Sequence, residues 1–456
     1  MIQDARQAPV VSKTYSGLLR IENMFRFLAV AWLASAILPA QNLAMKKHVL
    51  ANGMTVIIHE DHDIPNVALY FFYKVGSRNE KPGTTGVSHF FEHMMFNGAK
   101  KYGPKQFDIV MENNGGRNNG YTSRDVTVYQ DWFAKPALGL IIDMEADRIR
   151  DLAFDPKLVE SERGVVYSER RLSVDNSPEG ALDEQLWAAA YTAHTYQWSP
   201  IGWPSDIEGW TMADLKEHFS MGYAPNNCIL VVSGDVTEAE ALALAKKHLE
   251  PIPRRAGPPP VRTKEPEQKG ERRVVLNRAA ELPQQMIAFH VPATAHADSP
   301  AIELMTTVLA QGRSSRLEQR LVEREQLALT VQAGTNESID PGLWTFYVQP
   351  RAGIETAQTE QALFSELERA GRTLVSDEEL RKAKSQFLAN FYRQMKTLGG
   401  KAGLIGGFEV YHGDAARLND YASRIEKLTA ADLQRVAKAY LTSQNRTVAT
   451  LVPTKE

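Results

Sequence analysis

Three residues within five positions have the chemistry of a metal site. His89, Glu92 and His93 lie in the run Thr85-Gly-Val-Ser-His-Phe-Phe-Glu-His-Met-Met-Phe96. Positions four apart share one face of a helix, so both imidazoles can reach a single ion. Glu92 adjoins His93, and its carboxylate can reach a water on that ion without binding the ion itself. A catalytic zinc takes three protein ligands and keeps an open position for water. It lowers the pKa of that water towards about 7, where a neighbouring carboxylate can take the proton. His-x-x-Glu-His supplies two ligands and a base, in the reverse order to the commoner His-Glu-x-x-His. The plain alternative, two histidines on an ordinary amphipathic helix, stands until a third ligand is found. The one cysteine, Cys228, excludes a multi-cysteine zinc site and an internal disulfide framework, so the missing ligand is His, Asp or Glu. The segment Glu160-Ser-Glu-Arg-Gly-Val-Val-Tyr-Ser-Glu-Arg170 offers Glu160, Glu162 and Glu169. Glu162 and Glu169 are two helical turns apart on one face. One can bind the ion while the other holds a histidine or a water behind it; spacing alone leaves open which.

The elements that position these residues can be read more coarsely. Fifty-two basic and 55 acidic residues give a formal net charge of −3, without the strongly basic face of a dedicated nucleic-acid binder. A hydrophobic content of 43% supports a sizeable core and excludes wholesale disorder. The run Phe25–Ala40 has Arg26 at its start, an apolar stretch too short to span a bilayer and a small-residue exit, the pattern of a secretory signal peptide. Residues 1–44 are therefore set apart from the fold as a signal and upstream segment, and the mature chain is expected to be periplasmic, with no membrane span. An uncleaved anchor is the alternative.

The rest divides at a proline-rich linker, residues 251–270, into residues 45–250 and 271–456. The two pieces end alike. Thr211-Met-Ala-Asp-Leu215 and Thr429-Ala-Ala-Asp-Leu433 each open a helix with a capping-box signal, and each helix leads to an apolar strand, Cys228–Ser233 or Thr447–Val452. They also begin alike, with an apolar strand (Val67–Val75, Gln285–Val291), a polar loop and a helix. A duplicated α+β domain follows, a zinc-binding first copy and a homologous, non-metal second copy. Cys228 reads as a small core residue. Glycines 399, 400, 406 and 407 read as a flexible start to a helix rather than a phosphate loop, lacking the Lys-Ser/Thr ending.

These motifs together resemble the inverted-zincin peptidases of the pitrilysin, insulin-degrading enzyme and mitochondrial processing peptidase family. The resemblance covers nearly all of residues 45–456. It is carried by Leu50-Ala-Asn-Gly-Met-Thr-Val56, Gly76-Ser-Arg-Asn-Glu80, His89-Phe-Phe-Glu-His93, Gly115–Tyr129 and Glu162-Arg-Gly-Val-Val-Tyr-Ser-Glu169. Family members place the third ligand at the spacing that separates His93 from Glu169. The resemblance thus implies Glu169 as a zinc ligand, Glu162 as a carboxylate behind the ligands, Glu92 as the catalytic base and one Zn2+ per chain. It further implies an α+β fold in which two homologous α/β-sandwich domains form half of a clamshell, with peptides held extended against a sheet edge. Either Val126–Phe133 or Asn118–Thr122 is expected to be that edge, with Asn119, Tyr121 and Thr122 as substrate contacts.

One family feature is missing. Members complete in one polypeptide use an Arg and a Tyr of the second half near the peptide carbonyl. Here Val322 and Leu329 occupy those positions, while the adjacent Gly312-Arg-Ser-Ser-Arg-Leu317 is intact. Loss of a preorganised oxyanion donor typically costs about a hundredfold or more in rate. The expected function is therefore a zinc-dependent endopeptidase acting on peptides or unfolded segments, as the metal-bearing subunit of a heterodimer whose homologous partner supplies the Arg/Tyr pair. Arg324 filling in locally is one alternative, and a non-catalytic structural or chaperone-like protein is another.

Overall fold

The computed structural model describes residues 42–454, so the signal-like run of residues 25–40 lies outside the described residues. Among the described residues, no helix is long and apolar enough to cross a membrane.

Among the described residues, eleven strands form two sheets. The first contains β1 (Lys46–Val49), β2 (Thr55–Glu60), β3 (Asn66–Tyr73), β4 (Arg117–Thr122), β5 (Thr127–Ala134) and β6 (Cys228–Gly234) in the order β1-β2-β6-β3-β5-β4. The second contains β7 (Arg272–Ala279), β8 (Gln284–Val291), β9 (Ala328–Thr335), β10 (Gly342–Pro350) and β11 (Arg446–Thr454) in the order β7-β11-β8-β10-β9. The pairing repeats. β2 runs parallel to β6 as β7 does to β11. Each of these pairs continues through three antiparallel strands, β6-β3-β5-β4 and β11-β8-β10-β9. β1 is an addition to the first sheet. The two matching helix starts repeat as well. Asp214 N–H donates to Thr211 Oγ1 and Asp432 N–H to Thr429 Oγ1, and each Asp carboxylate in return accepts from its threonine's N–H at 2.9 Å.

One face of the first sheet, Val67, Leu69, Phe71 and Tyr73 of β3 with Tyr129, Leu230 and Val232, packs under the helices of its own half. This buried cluster includes Phe90, Phe91 and Met94 of the helix Val87–Met94, and also Cys228. The other face is covered from a distance. The helix Leu398–His412 of the second half lies on it, and two of its glycines, Gly399 and Gly406, are contact points rather than a flexible start. A Cβ on Gly406 would fall 2.0 Å from Phe72 Cε2, and one on Gly399 would fall 2.4 Å from Trp132 Nε1 and 2.8 Å from the Tyr70 hydroxyl. The sequence reading failed here because it weighed glycine as a helix breaker and had no sight of the aromatic surface that only a bare backbone can approach.

The exchange is mutual. Helix Pro178–Ala190 of the first half sets Leu182, Leu186, Trp187 and Ala190 against Met286, Ala288, Leu343, Ala449 and Leu451 of the second sheet. Polar contacts close the seam between the halves. Arg78 pairs with Asp340 and lies 3.2 Å from Asp125, whose carboxylate also accepts from the Tyr196 hydroxyl and from the N–H of Ile339. The proline-rich segment is tied down too, with the Glu265 carboxylate accepting from the N–H groups of Thr192, Ala193 and His194 at 2.9–3.0 Å.

Gly406→Ala tests the close approach. In an exposed helix this change stabilises by about 1 kcal/mol. Here it should instead destabilise by about 1–3 kcal/mol through overpacking against Phe72, read as a lower midpoint in urea unfolding.

Candidate metal centre

Two helices and one strand converge on the site. Helix Val87–Met94 carries His89, Glu92 and His93 with its apolar side in the core. Helix Pro156–Arg170 carries Glu162 and Glu169, starts from an Asp155 cap that accepts from Lys157 N–H, and has Pro156 at its first position. β4 runs beside the first helix.

His89, His93 and Glu169 converge, the imidazoles through Nε2 and the carboxylate through both oxygens. His89 Nε2 lies 3.3 Å from His93 Nε2, and Glu169 reaches His89 with Oε1 at 3.6 Å and His93 with Oε2 at 3.2 Å. A tetrahedral ion with bonds of about 2.0–2.1 Å has ligand atoms about 3.3–3.4 Å apart, so the spacing of the three side chains suits one such ion. Among the described residues this is the one group of three His, Cys, Asp or Glu side chains able to hold a metal. The donor set of two imidazoles and a carboxylate is that of a catalytic zinc site.

Behind this triangle, Glu162 accepts from His93 Nδ1 at 2.8 Å, which leaves Nε2 turned to the ion position. The second Glu162 oxygen accepts from Asn97 Nδ2 at 2.6 Å. Geometry thus separates two carboxylates that spacing left equivalent: Glu169 joins the histidines' Nε2 atoms, and Glu162 holds one histidine from behind. Asn97 escaped the sequence reading; it lies three residues past the end of the helix, where the returning turn brings its amide to Glu162.

Glu92 stands beside the triangle, outside it. Thr122 Oγ1 donates to Glu92 Oε2 at 2.7 Å, leaving Oε1 unclaimed by that bond. A Cβ on Gly120 would come within 3.1 Å of Glu92 Cγ, so the bare backbone of β4 lets the carboxylate sit against the strand. Of the three expected substrate contacts, Thr122 therefore turns its hydroxyl to Glu92, while Asn119 and Tyr121 are exposed on β4. β4 is the edge of its sheet and β5 is interior, which settles which strand has a free backbone row. A cavity of about 470 Å3 lies between strand and helix, lined by Glu92, His93, Asn97, Asn119, Gly120 and Glu162 among others, all from the first half. Val322, Arg324 and Leu329 are absent from that lining, and Leu329 is 45% exposed on β9.

The charges differ by environment. Burial, with His93 close by, pushes His89 down to about 4, which keeps it neutral and ready to ligate. Burial also acts to lower His93, but its hydrogen bonds to Glu162 and Glu169 prevail and hold it up at about 9. The hydrogen bond to His93 draws Glu162 and Glu169 below the ordinary carboxylate range. Burial raises Glu92, against the pull of the Thr122 hydroxyl.

The comparisons with known proteins agree with this architecture. The family described as "Insulinase (Peptidase family M16)" matches residues 55–202, and "Peptidase M16 inactive domain" matches residues 209–387. A zinc protease, PqqE, of Helicobacter pylori is 31% identical over 89% of this chain and 92% of its own length. A probable mitochondrial-processing peptidase subunit beta of Schizosaccharomyces pombe is 26% identical over 92% of each chain. The crystal structure of a protease from Helicobacter pylori superposes with a TM-score of 0.88 at 30% identity, covering 90% of this chain and all of that one. The fold is thus the bilobed arrangement of an active-type and an inactive-type α/β domain, and the chain belongs to peptidase family M16. With its His/His/Glu cluster it is a zinc-dependent peptidase of that family.

Two outcomes follow. Glu162→Ala should weaken zinc binding about 10- to 100-fold, measured by competition with a chromogenic chelator. His93 is held above its unfolded value of 6.5, so in the metal-free protein its contribution to stability is full below about pH 6.5 and lost as pH rises through about 9. Zinc must displace the proton on Nε2, so apparent zinc affinity should rise with pH across that window, with proton release visible by calorimetry in buffers of different ionisation enthalpy.

Proposed function

We propose that the chain is an endopeptidase in which His89, His93 and Glu169 hold one zinc ion and Glu92 moves the protons. The observation that carries this reading is the meeting of ligand atoms from His89, His93 and Glu169 within 4.8 Å of one another, beside a carboxylate with one oxygen left for chemistry. The ion, when bound, polarises the scissile carbonyl and acidifies a water. The protein's own residues do the rest. Glu92 Oε1 takes the proton from the attacking water and later delivers it to the amine that leaves. Thr122 fixes Oε2, so the same oxygen faces the reaction at both steps. Burial raises the Glu92 pKa, which favours its giving the proton up as an acid after taking it as a base. Glu162 and Asn97 keep His93 in one tautomer.

The peptide lies along β4, adding a strand to the open edge of the first sheet, and Asn119 and Tyr121 meet its side chains. Extended binding favours unfolded segments over folded proteins. The oxyanion donors come from a homologous second subunit. Val322 and Leu329 stand where the family carries its Arg and Tyr, and the cavity beside His93 takes no lining residue from the second half. The similarity to a processing-peptidase beta subunit supports a paired assembly. Residues 45–250 and 271–456 act as the catalytic and non-metal domains, and the chain works in the periplasm after removal of the N-terminal segment.

Glu92→Gln should cost about a hundredfold to ten-thousandfold in kcat for an unstructured peptide, with zinc content unchanged by metal analysis. Full activity of that variant would overturn the mechanism. Addition of the homologous partner should raise kcat by about a hundredfold. A purified single chain already at full rate, unchanged by the partner, would remove the paired assembly.

A further inference from the structure

The helix that bears both histidines has no cap of its own. It is eight residues long, and its N-cap is Gly86, which has no side chain and adopts φ 86°. The first turn of any helix leaves N–H groups without partners in the helix. Here they are met from six and eight residues upstream. Glu80 Oε2 accepts from Gly86 N–H and Oε1 from Ser88 N–H, both at 2.8 Å. Ser88 immediately precedes His89. Next to this, the Asp206 carboxylate accepts from the N–H groups of Gly83 and Thr85 and from the Thr85 hydroxyl. Gly86 cannot be exchanged for a residue with a capping side chain, because a Cβ there would sit 2.4 Å from Ile201 O.

Glu80 is only 5% exposed, and among the described residues it has no ion pair with a lysine or arginine. Burial pushes its pKa up to about 7, against the pull of the Ser88 and Gly86 N–H groups. Its unfolded value is lower, so the charge costs folding stability at neutral pH and that cost fades as pH falls below 7. A buried charge that lowers stability calls for another reason to be there. An anion at a helix N-terminus is favoured by the aligned peptide dipoles and by the free N–H groups, and this one spans two donors with both oxygens.

We infer that Glu80 is a positioning residue for the reaction: its carboxylate, bound to the N–H groups of Gly86 and Ser88, seats the histidine helix and thereby sets where His89 and Glu92 stand. The inference rests on the peptidase reading for its catalytic consequence, but the seating itself is a property of the metal-free chain. Catalytic groups must be held to about 0.5 Å, and a misplacement of about 1 Å can cost a hundredfold.

The variant is Glu80→Gln, which keeps the shape but offers one acceptor in place of two and no charge. Hydrogen exchange in the metal-free protein should be at least tenfold faster at the amides of Gly86 and Ser88. With zinc and peptide, kcat should fall tenfold or more while KM stays within threefold, and the cobalt-substituted protein should show a shifted visible band. Because a stability cost is removed along with an anchor, Tm should stay within about 4 °C of the parent. Val448→Ala, in the core of the second sheet, is the comparison: it should lower Tm and leave kcat within twofold. Unchanged exchange at Gly86 and Ser88 would overturn the inference, as would a kcat loss that Val448→Ala reproduces. If Glu80→Gln does not accumulate, Glu80→Asp keeps the charge but is one methylene too short for both donors, and the same exchange readout decides. The exchange measurement needs neither zinc nor substrate, so it fails or succeeds separately from the peptidase reading.

Discussion

A helix of eight residues has little stability of its own, because nucleation in water is unfavourable and only about two turns of hydrogen bonds offset it. The site depends on this constraint. Helix Val87–Met94 stands where neighbouring side chains hold it, and they do so all round. Phe90 and Phe91 enter the core, and Tyr129 donates its hydroxyl to Phe91 O at 3.0 Å. His218 faces Ser88 Oγ at 3.2 Å and stacks on Phe91, and burial drives its pKa down to about 3, so it serves there as a neutral ring. Past the far end of the helix the buried Arg148 lies over the rings of Phe107 and Tyr129. The helix is a part fitted into a socket, and the metal-binding triangle inherits its accuracy from that socket.

The chemistry was legible in the sequence because it is local. His89, Glu92 and His93 sit within one turn and a half, and any helix would bring them together. Glu169 needed more. Its seven-residue partnership with Glu162 showed a shared face, but which carboxylate faced the ion depended on how two helices cross, and the residues alone leave that open. Family resemblance implied Glu169; in the fold Glu169 lies 3.2 Å from His93 Nε2 and Glu162 meets Nδ1. Repetition was legible for the same local reason. Two Thr-x-x-Asp helix starts with a strand after each can be read without knowing what they pack on.

What remained hidden was long-range. Whether β4 or β5 lay at the edge is a matter of sheet order, which neither segment's residues state. Thr122 looked like a substrate contact because it sits on a strand near the site; its partner Glu92 is thirty residues away in sequence. Glu80 sat in a recognised motif with no stated task. The glycines of Leu398–His412 gave the clearest misreading, since propensity treats each as a weak point while the structure uses two of them to bring a helix down on Tyr70, Phe72 and Trp132.

The exchange of helices between halves bears on the order in which the chain can be completed. During synthesis the first sheet can form as soon as β6 has emerged, but the face bearing Ala68, Tyr70 and Phe72 stays bare until Leu398–His412 is made. The nascent first half thus carries an open face from the emergence of Gly234 until that of His412. Cutting the gene between the halves would not yield two independent proteins, because each product would lack a layer held by the other.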